Sequence, residues 1–306
     1  RQGLHVYCEK EMSNTLEGAR KMVQAARETG KLLQIGHQRR SNPRYLFCYE
    51  KILKEARLLN RITTVNGQWN RSKAACEDLG WPKRYAVDEE TLHKYGFDSM
   101  QKFRNWRWYK GLGGGPMVDL GSHQVDIYNW FLEATPRAVL ASGGIDYWKN
   151  HDWYDNVMAV YEYETAQGRV RAFYQTITTN SARGYFESFM GDEGTLVISE
   201  APGVAEVYRE AWLDLQNVKP WTKWVEKGYI TKYANKYFQH CLLYTSDAAD
   251  ELDGVDLGGR RPRVAQAPQV RTGGQLEQTT PPASFGELFR GDAGTGLVEL
   301  PRRSRL

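Results

Sequence analysis

The first 36 residues confine the chain to a narrow set of folds. Residues 5–8 form a short apolar strand, and Ser13-Asn14-Thr15 supplies an N-cap cluster. Residues 16–29 then place Ala19, Met22, Val23 and Ala26 on one helical face, Gly30 stops the helix, and residues 32–36 form a second strand. Strand, helix and strand in that order build parallel sheets. Pro43 opens a second helix predicted over residues 44–59, and residues 62–70 alternate as a strand. A Trp-rich stretch over 71–110 carries a predicted helix at 88–94. A glycine loop at 111–115 leads into a helix predicted over 116–132. From residue 138 the text turns β-rich, with strands expected at 138–148, 157–163, 170–179, 185–190 and 195–199. The expected fold class is therefore α/β. It comprises the C-terminal remnant of a doubly wound domain (residues 1–40) and an α+β domain with a largely antiparallel sheet (residues 41–240).

The two ends read differently. The chain opens Arg1-Gln2-Gly3 and enters a strand almost at once, so a preceding segment is expected. After residue 240 tryptophan and lysine vanish, and Gly, Arg, Ala, Pro and Thr dominate without a period of 2 or 3.6. Such a segment buries too little apolar surface to offset its conformational entropy, and residues 241–306 are expected to be a disordered, non-native tail. The string from Cys241 to Arg261 resembles the translation of a sequencing adapter.

Several function classes drop out. A net charge of +4 from 41 basic and 37 acidic residues, with no sustained basic block, gives no nucleic-acid footprint. No apolar run approaches the ~20 residues that cross a bilayer. Cys8, Cys48, Cys76 and Cys241 lack disulfide or zinc spacing, so no metal site is expected. A small-molecule partner fits best, and a cytoplasmic location is favoured with export left open.

Two strings carry chemistry. In Gly113-Gly114-Gly115-Pro116-Met117-Val118-Asp119-Leu120-Gly121-Ser122-His123, the glycines permit close backbone approach to a ligand. Asp119 and His123 are spaced i and i+4 on one helical face, where a carboxylate can fix an imidazole's tautomer and raise its basicity. The same spacing equally suits an aspartate near a helix N-terminus and a histidine packed in the core. In Cys8-Glu9-Lys10-Glu11, a lysine follows the carboxyl end of a parallel strand, the edge at which open α/β sheets bind ligands. There it can donate to a substrate oxygen, or sit in a solvated loop paired with Glu9 or Glu11. Trp106 and Trp108 are candidates for stacking on a sugar ring, and Arg104 and Arg107 for binding ligand hydroxyls or phosphate.

Taken together, these strings resemble the glucose-fructose oxidoreductase, inositol dehydrogenase and rhizopine catabolism (Gfo/Idh/MocA) family of NAD(P)-dependent enzymes. In that family a Glu-Lys-Pro motif ends a Rossmann strand, and a Gly-rich Asp-x-Gly-x-His-x-x-Asp helix opens the substrate domain. Gly36-His37-Gln38-Arg39-Arg40-Ser41-Asn42-Pro43 is similar to the family's interdomain link, and the likeness spans about residues 3–200. The resemblance implies Lys10, Asp119 and His123 as catalytic residues, and Glu9, Lys10 and Arg39 as cofactor-binding residues for NAD or NADP. It implies Lys10, Trp106, Arg107, Asp119 and His123 around a sugar or polyol substrate. Hydride transfer to or from a secondary alcohol is the implied reaction, in a homo-oligomer formed through the sheet face. An NAD-dependent glycoside hydrolase of the same family and a non-catalytic, sheet-mediated ligand-binding or oligomerisation module are the alternatives. Two departures stand out: Glu11 replaces the family proline, and no Gly-x-Gly-x-x-Gly fingerprint is present.

Overall fold

The computed structural model describes residues 2–216, 219–233, 236–238 and 298–299. The expectation of a disordered tail over residues 241–306 lies outside the described residues, apart from the pair 298–299. The chain begins with strand β1 (Val6–Glu9), helix α1 (Leu16–Thr29) and strand β2 (Leu33–Gly36), with β1 and β2 parallel in the register Val6↔Leu33 to Glu9↔Gly36. Thr15 caps α1 by accepting from the Gly18 amide, and Gly30 ends it in the left-handed region at φ 63°. This is the expected β–α–β unit, and none of the residues of α1 is fully buried.

A turn of 3-10 helix over Gln38–Ser41 leads to α2 (Pro43–Phe47), capped by Asn42 and continued as a π-helix over Cys48–Glu55. The helix predicted to residue 59 therefore ends sooner, and Arg57 and Asn60 adopt left-handed φ of 50° and 53° in the turn into β3 (Ile62–Asn70). Short helices α3 (Ala74–Glu77), α4 (Glu89–Lys94) and α5 (Met100–Arg104) follow; Asp88 caps α4 and Ser99 caps α5. The helix predicted over 116–132 is two helices, α6 (Gly115–Asp119) and α7 (Gly121–Phe131), broken at Leu120. The break brings Gly121 onto the sheet, where a Cβ would lie 2.9 Å from the Tyr174 ring.

Strands β4 (Pro136–Gly144), β5 (Asn156–Thr165), β6 (Gly168–Ile177), β7 (Tyr185–Gly191), β8 (Gly194–Ile198) and β9 (Ala205–Arg209) join β3 in one sheet. Helices α8 (Ala211–Leu215) and α9 (Thr222–Glu226) follow, and β10 (Thr231–Tyr233), β11 (Lys236–Phe238) and β12 (Val298–Glu299) complete the sheet. The order is β10-β11-β9-β8-β7-β3-β6-β5-β4-β12, antiparallel everywhere except between β3 and β6. The strand predicted over 138–148 stops at Gly144 because the Asp155 carboxylate accepts the Tyr147 and Trp148 amides at 2.7 and 3.0 Å and folds the chain away. The core lies between the sheet and the helical layer of α2, its π-helical extension and α7: Tyr45, Ile52, Ile127, Tyr128, Phe131, Tyr174 and Phe189 are all buried there.

Helix α7 sits close on β3 because Gly67 presents no side chain. A Cβ there would lie 2.1 Å from the Tyr128 hydroxyl, which donates to the Phe173 carbonyl at 2.9 Å. We expect Gly67→Ala to displace that hydroxyl and cost about 1–3 kcal/mol, the usual range for overpacking a dense core. Urea denaturation checks this, and an unchanged midpoint would show that Tyr128 shifts freely.

Candidate active site

Lys10 extends from the carboxyl end of β1, across the gap to the α6–α7 junction. Its Nζ donates to the Asp119 carbonyl and lies 3.4 Å from Asp119 Oδ1 and 3.7 Å from Glu11 Oε1. The Lys10–Glu11 peptide bond is cis. On the far side of Asp119, Arg107 Nε donates to the same Oδ1 at 3.1 Å, and its guanidinium lies over the Trp106 ring at 4.7 Å. Glu11 turns inward, where Ser122 Oγ on the first turn of α7 donates to its Oε1 at 3.0 Å. Burial raises the Glu11 pKa, opposed by the Lys10 charge and the Ser122 hydrogen bond. Two cations and two carboxylates thus interlock at one spot.

His123 lines the inner wall. It is 4% exposed and packs against Trp69 with ring centroids 5.3 Å apart. Burial holds its pKa far below the ordinary histidine value, reinforced by the charges of Arg39, Lys10, His37 and Arg71. The helix break changes the relation expected between Asp119 and His123. Among the described residues the Asp119 carboxylate is engaged by Lys10 and Arg107, and no hydrogen bond joins it to the imidazole.

Other expected site residues fall in varied places. Glu9 stays exposed at the carboxyl end of β1, accepting from the Tyr7 hydroxyl at 2.8 Å. Trp106 is 40% exposed beside Arg107. Arg39 is not placed as a cofactor ligand: it is 1% exposed, its Nη1 donates to Glu187 and its Nε donates to Glu200 at 2.9 Å, so burial and two carboxylates remove it from any cleft. Trp108 is likewise no sugar platform, because it is 1% exposed and packs with Trp148 and His151 in a satellite core. Arg104 donates to the Gly80 carbonyl at 3.0 Å. The triple glycine serves protein packing. A Cβ on Gly115, whose φ is +71°, would lie 2.4 Å from Trp153, and one on Gly113 would lie 2.7 Å from the Arg107 backbone. Trp153 Nε1 donates to the Gly113 carbonyl at 2.9 Å, so the loop shapes the wall that carries Arg107.

Three further residues at the junction, Glu11, Ser122 and His37, were given no site role by the sequence reading. Glu11 and Ser122 lie within the two motifs, and their pairing joins segments 111 residues apart. His37, at the carboxyl end of β2, stands 3.7 Å from Asp126, which Arg40 grips through both Nε and Nη2 at 2.8 Å. Burial lowers the His37 pKa, Asp126 raises it, and Arg40 and Lys10 lower it further. Among the described residues no group of three or more His, Cys, Asp or Glu could hold a metal ion, and no helix is long and apolar enough to cross a membrane.

Residues 89–197 match the model of the GFO/IDH/MocA C-terminal domain. A 1,5-anhydro-D-fructose reductase from Ensifer adhaerens is 27% identical over 198 residues, 64% of this chain and 50% of the relative. Among solved structures, an NAD binding oxidoreductase from Klebsiella pneumoniae shares 24% identity at a TM-score of 0.51, covering 67% of this chain and 50% of that one. The WlbA dehydrogenase from Bordetella pertussis, solved with NADH and UDP-GlcNAcA, shares the fold at 20% identity and a TM-score of 0.50, over 68% of this chain and 56% of its own. The chain spans about half the length of the relatives it matches.

The fit of a dinucleotide to these residues is uneven. Lys10 reaches the α6–α7 junction, whereas Glu9 stays exposed and accepts from Tyr7. The N-terminus of α1, by contrast, is closed by its own cap: Thr15 Oγ1 accepts the Gly18 amide at 3.0 Å, and Ser13 Oγ accepts the Thr15 amide at 3.2 Å. No glycine-rich turn precedes it to let a pyrophosphate approach. We expect residues 1–306 alone to bind NAD(P)H far more weakly than micromolar; calorimetric binding at micromolar concentration would contradict this.

The depressed His123 pKa also sets a pH dependence. The unfolded chain takes up a proton near the ordinary value of about 6.5 and the folded chain does not. Stability is therefore full above that pH and falls below it, by up to roughly 1.4 kcal/mol per pH unit for this residue. Denaturant titrations from pH 7.5 to 5 should show a shallower acid loss in His123→Gln than in the parent. Parallel curves would show that His123 protonates freely in the folded state.

Proposed function

We propose that this chain forms the substrate side of an NAD(P)-dependent oxidoreductase acting on a secondary alcohol of a sugar, cyclitol or related polyol, in either direction. The observation that supports this best is the contact of Lys10, from the carboxyl end of β1, with Asp119 at the α6–α7 junction, where the first turn of α7 carries the buried His123. When bound, the nicotinamide accepts or supplies the hydride. Glu9 and Lys10 are the residues of this chain closest to hand for holding it.

Each side chain then has a role set by its surroundings. His123, held neutral, keeps a lone pair for the proton of the substrate hydroxyl. Lys10 offers its ammonium to the same oxygen and steadies negative charge as it develops there. Asp119 holds Lys10 and Arg107 rather than the imidazole, a supporting role different from the one its spacing suggested. Arg107 and the half-exposed Trp106 form the rim, a guanidinium for hydroxyls and an indole face for a ring. The 1,5-anhydro-D-fructose reductase relative agrees with a polyhydroxylated substrate. The outer sheet face, where Leu140 and Met158 are 43% and 48% exposed on adjacent strands β4 and β5, is the surface we assign to self-association.

The test uses a polypeptide joining this chain to a complete dinucleotide-binding segment, assayed by single-turnover hydride transfer with a panel of polyols and their ketones. His123→Ala should lower kcat by about 10²- to 10⁴-fold, the usual contribution of a positioned acid–base group, with cofactor affinity nearly intact. Lys10→Ala should impair turnover with some loss of cofactor affinity, and Asp119→Asn should cost less than either. A parental rate in His123→Ala would leave the histidine as a core residue. Glycoside cleavage without net cofactor reduction would replace the reading by the hydrolase.

A further inference from the structure

Lys10 has two carboxylates within reach. Its Nζ donates to the Asp119 carbonyl and lies 3.4 Å from Asp119 Oδ1, but that same oxygen also accepts from Arg107 Nε at 3.1 Å. One carboxylate therefore faces two cations. The second negative charge comes from Glu11, whose Oε1 lies 3.7 Å from Lys10 Nζ. This carboxylate is itself anchored, because Ser122 Oγ donates to the same Oε1 at 3.0 Å from the first turn of α7, one residue before His123. The side chains of Lys10, Asp119 and Glu11 are largely shielded from solvent, so water screens their charges less than those of an ordinary surface pair.

We propose that Glu11 is a positioning residue for Lys10: anchored by Ser122, its carboxylate holds the ammonium at the α6–α7 junction and ties it to the helical turn that carries His123. A lysine does not fix its own aim. Its ammonium is a compact charge with three rotating donors on a flexible four-carbon stem, so its neighbours decide where it points. Asp119 does not hold it alone, because Arg107 draws on the same oxygen and two cations on one carboxylate leave a net positive charge. Glu11 restores the balance of two cations and two carboxylates, and the Ser122 hydroxyl keeps its carboxylate from turning out to water. The contact joins residues 111 apart in the chain, so the position of Lys10 is set by α7 as well as by the strand it follows. The inference rests on the reading of Lys10 as a site residue, but its test requires no turnover and fails separately.

The experiment is trace acetylation of the chain with acetic anhydride at about pH 8, read by mass spectrometry as the rate at Lys10 divided by the rate at Lys21, an exposed lysine of α1. In the parent, Lys10 should label much more slowly than Lys21. Glu11→Gln keeps the size of the side chain and an acceptor for Ser122 but removes the charge, and it should raise the ratio about fivefold or more, the factor that matches the attraction of unit charges at this separation in water. Ser122→Ala keeps the charge but removes the anchor, and it should raise the ratio in the same direction; Ser122→Thr, which retains the hydroxyl, should hold the parental ratio. A packing role alone would leave Glu11→Gln at the parental ratio, and that result overturns the proposal. So does a Ser122→Ala that stays parental, a Ser122→Thr that behaves like Ser122→Ala, or a parental Lys10 that labels as fast as Lys21. If Glu11→Gln does not fold, the two Ser122 variants decide.

Discussion

The ion cluster of Arg39 with Glu187 and Glu200 is the constraint on which the geometry of the site depends. Arg39 lies only three residues beyond β2, while Glu187 lies in β7 and Glu200 just beyond β8, so their pairing fixes where the β–α–β unit stands over the large sheet. Arg44 reinforces this anchor from α2 by donating to the carbonyls of Ser199 and Ala201. Removing one partner would leave a charge buried without compensation, typically a loss of several kcal/mol, so the two regions are tied in a single register. That register carries the end of β1, and with it Lys10, up to the α6–α7 junction.

Once Lys10 arrives there, the charges sort themselves. Asp119 is shared between Lys10 and Arg107, and Glu11 takes Ser122 and the flank of Lys10. Each carboxylate thereby answers a cation or hydroxyl that would otherwise compete for the imidazole. Among the described residues His123 makes no ion pair, and its burial, followed by the charges of Arg39, Lys10, His37 and Arg71, disfavours its protonation. The break at Leu120 makes this division possible, since a continuous helix would have set Asp119 and His123 one turn apart on a single face.

Local rules made much of this legible in the sequence. The β–α–β unit, the Asp88 cap and the strands β5 to β8 follow from apolar period, cap residues and turn glycines, which act over a few residues. Strand β9 and the pair β10 and β11 were missed because they are short and gain their partners only in the sheet. Lys10, Asp119 and His123 stood out in their two motifs, yet the contacts that join those motifs, Lys10 to Asp119 and Ser122 to Glu11, link segments more than a hundred residues apart, which no local rule reveals. Arg39 and Trp108 show the converse error. Arginine and tryptophan near a motif suit ligand contact by residue type, and only burial distinguishes a guanidinium held by Glu187 or an indole packed on His151 from one open to a ligand.

A fold of this kind does not determine its chemistry; the side chains at the junction do. An imidazole kept neutral by its surroundings is a modest base, and once protonated it is a correspondingly strong acid. On the reading proposed here, the wall around His123 keeps the imidazole neutral, with a lone pair open to the hydroxyl proton and little tendency to hold that proton afterwards. Lys10 complements it, because an ammonium beside the same oxygen stabilises the negative charge that builds there. A buried neutral imidazole and an ammonium held by Asp119 thus divide the work at one oxygen, the first receiving the proton and the second steadying the charge, a division that serves hydride transfer in either direction.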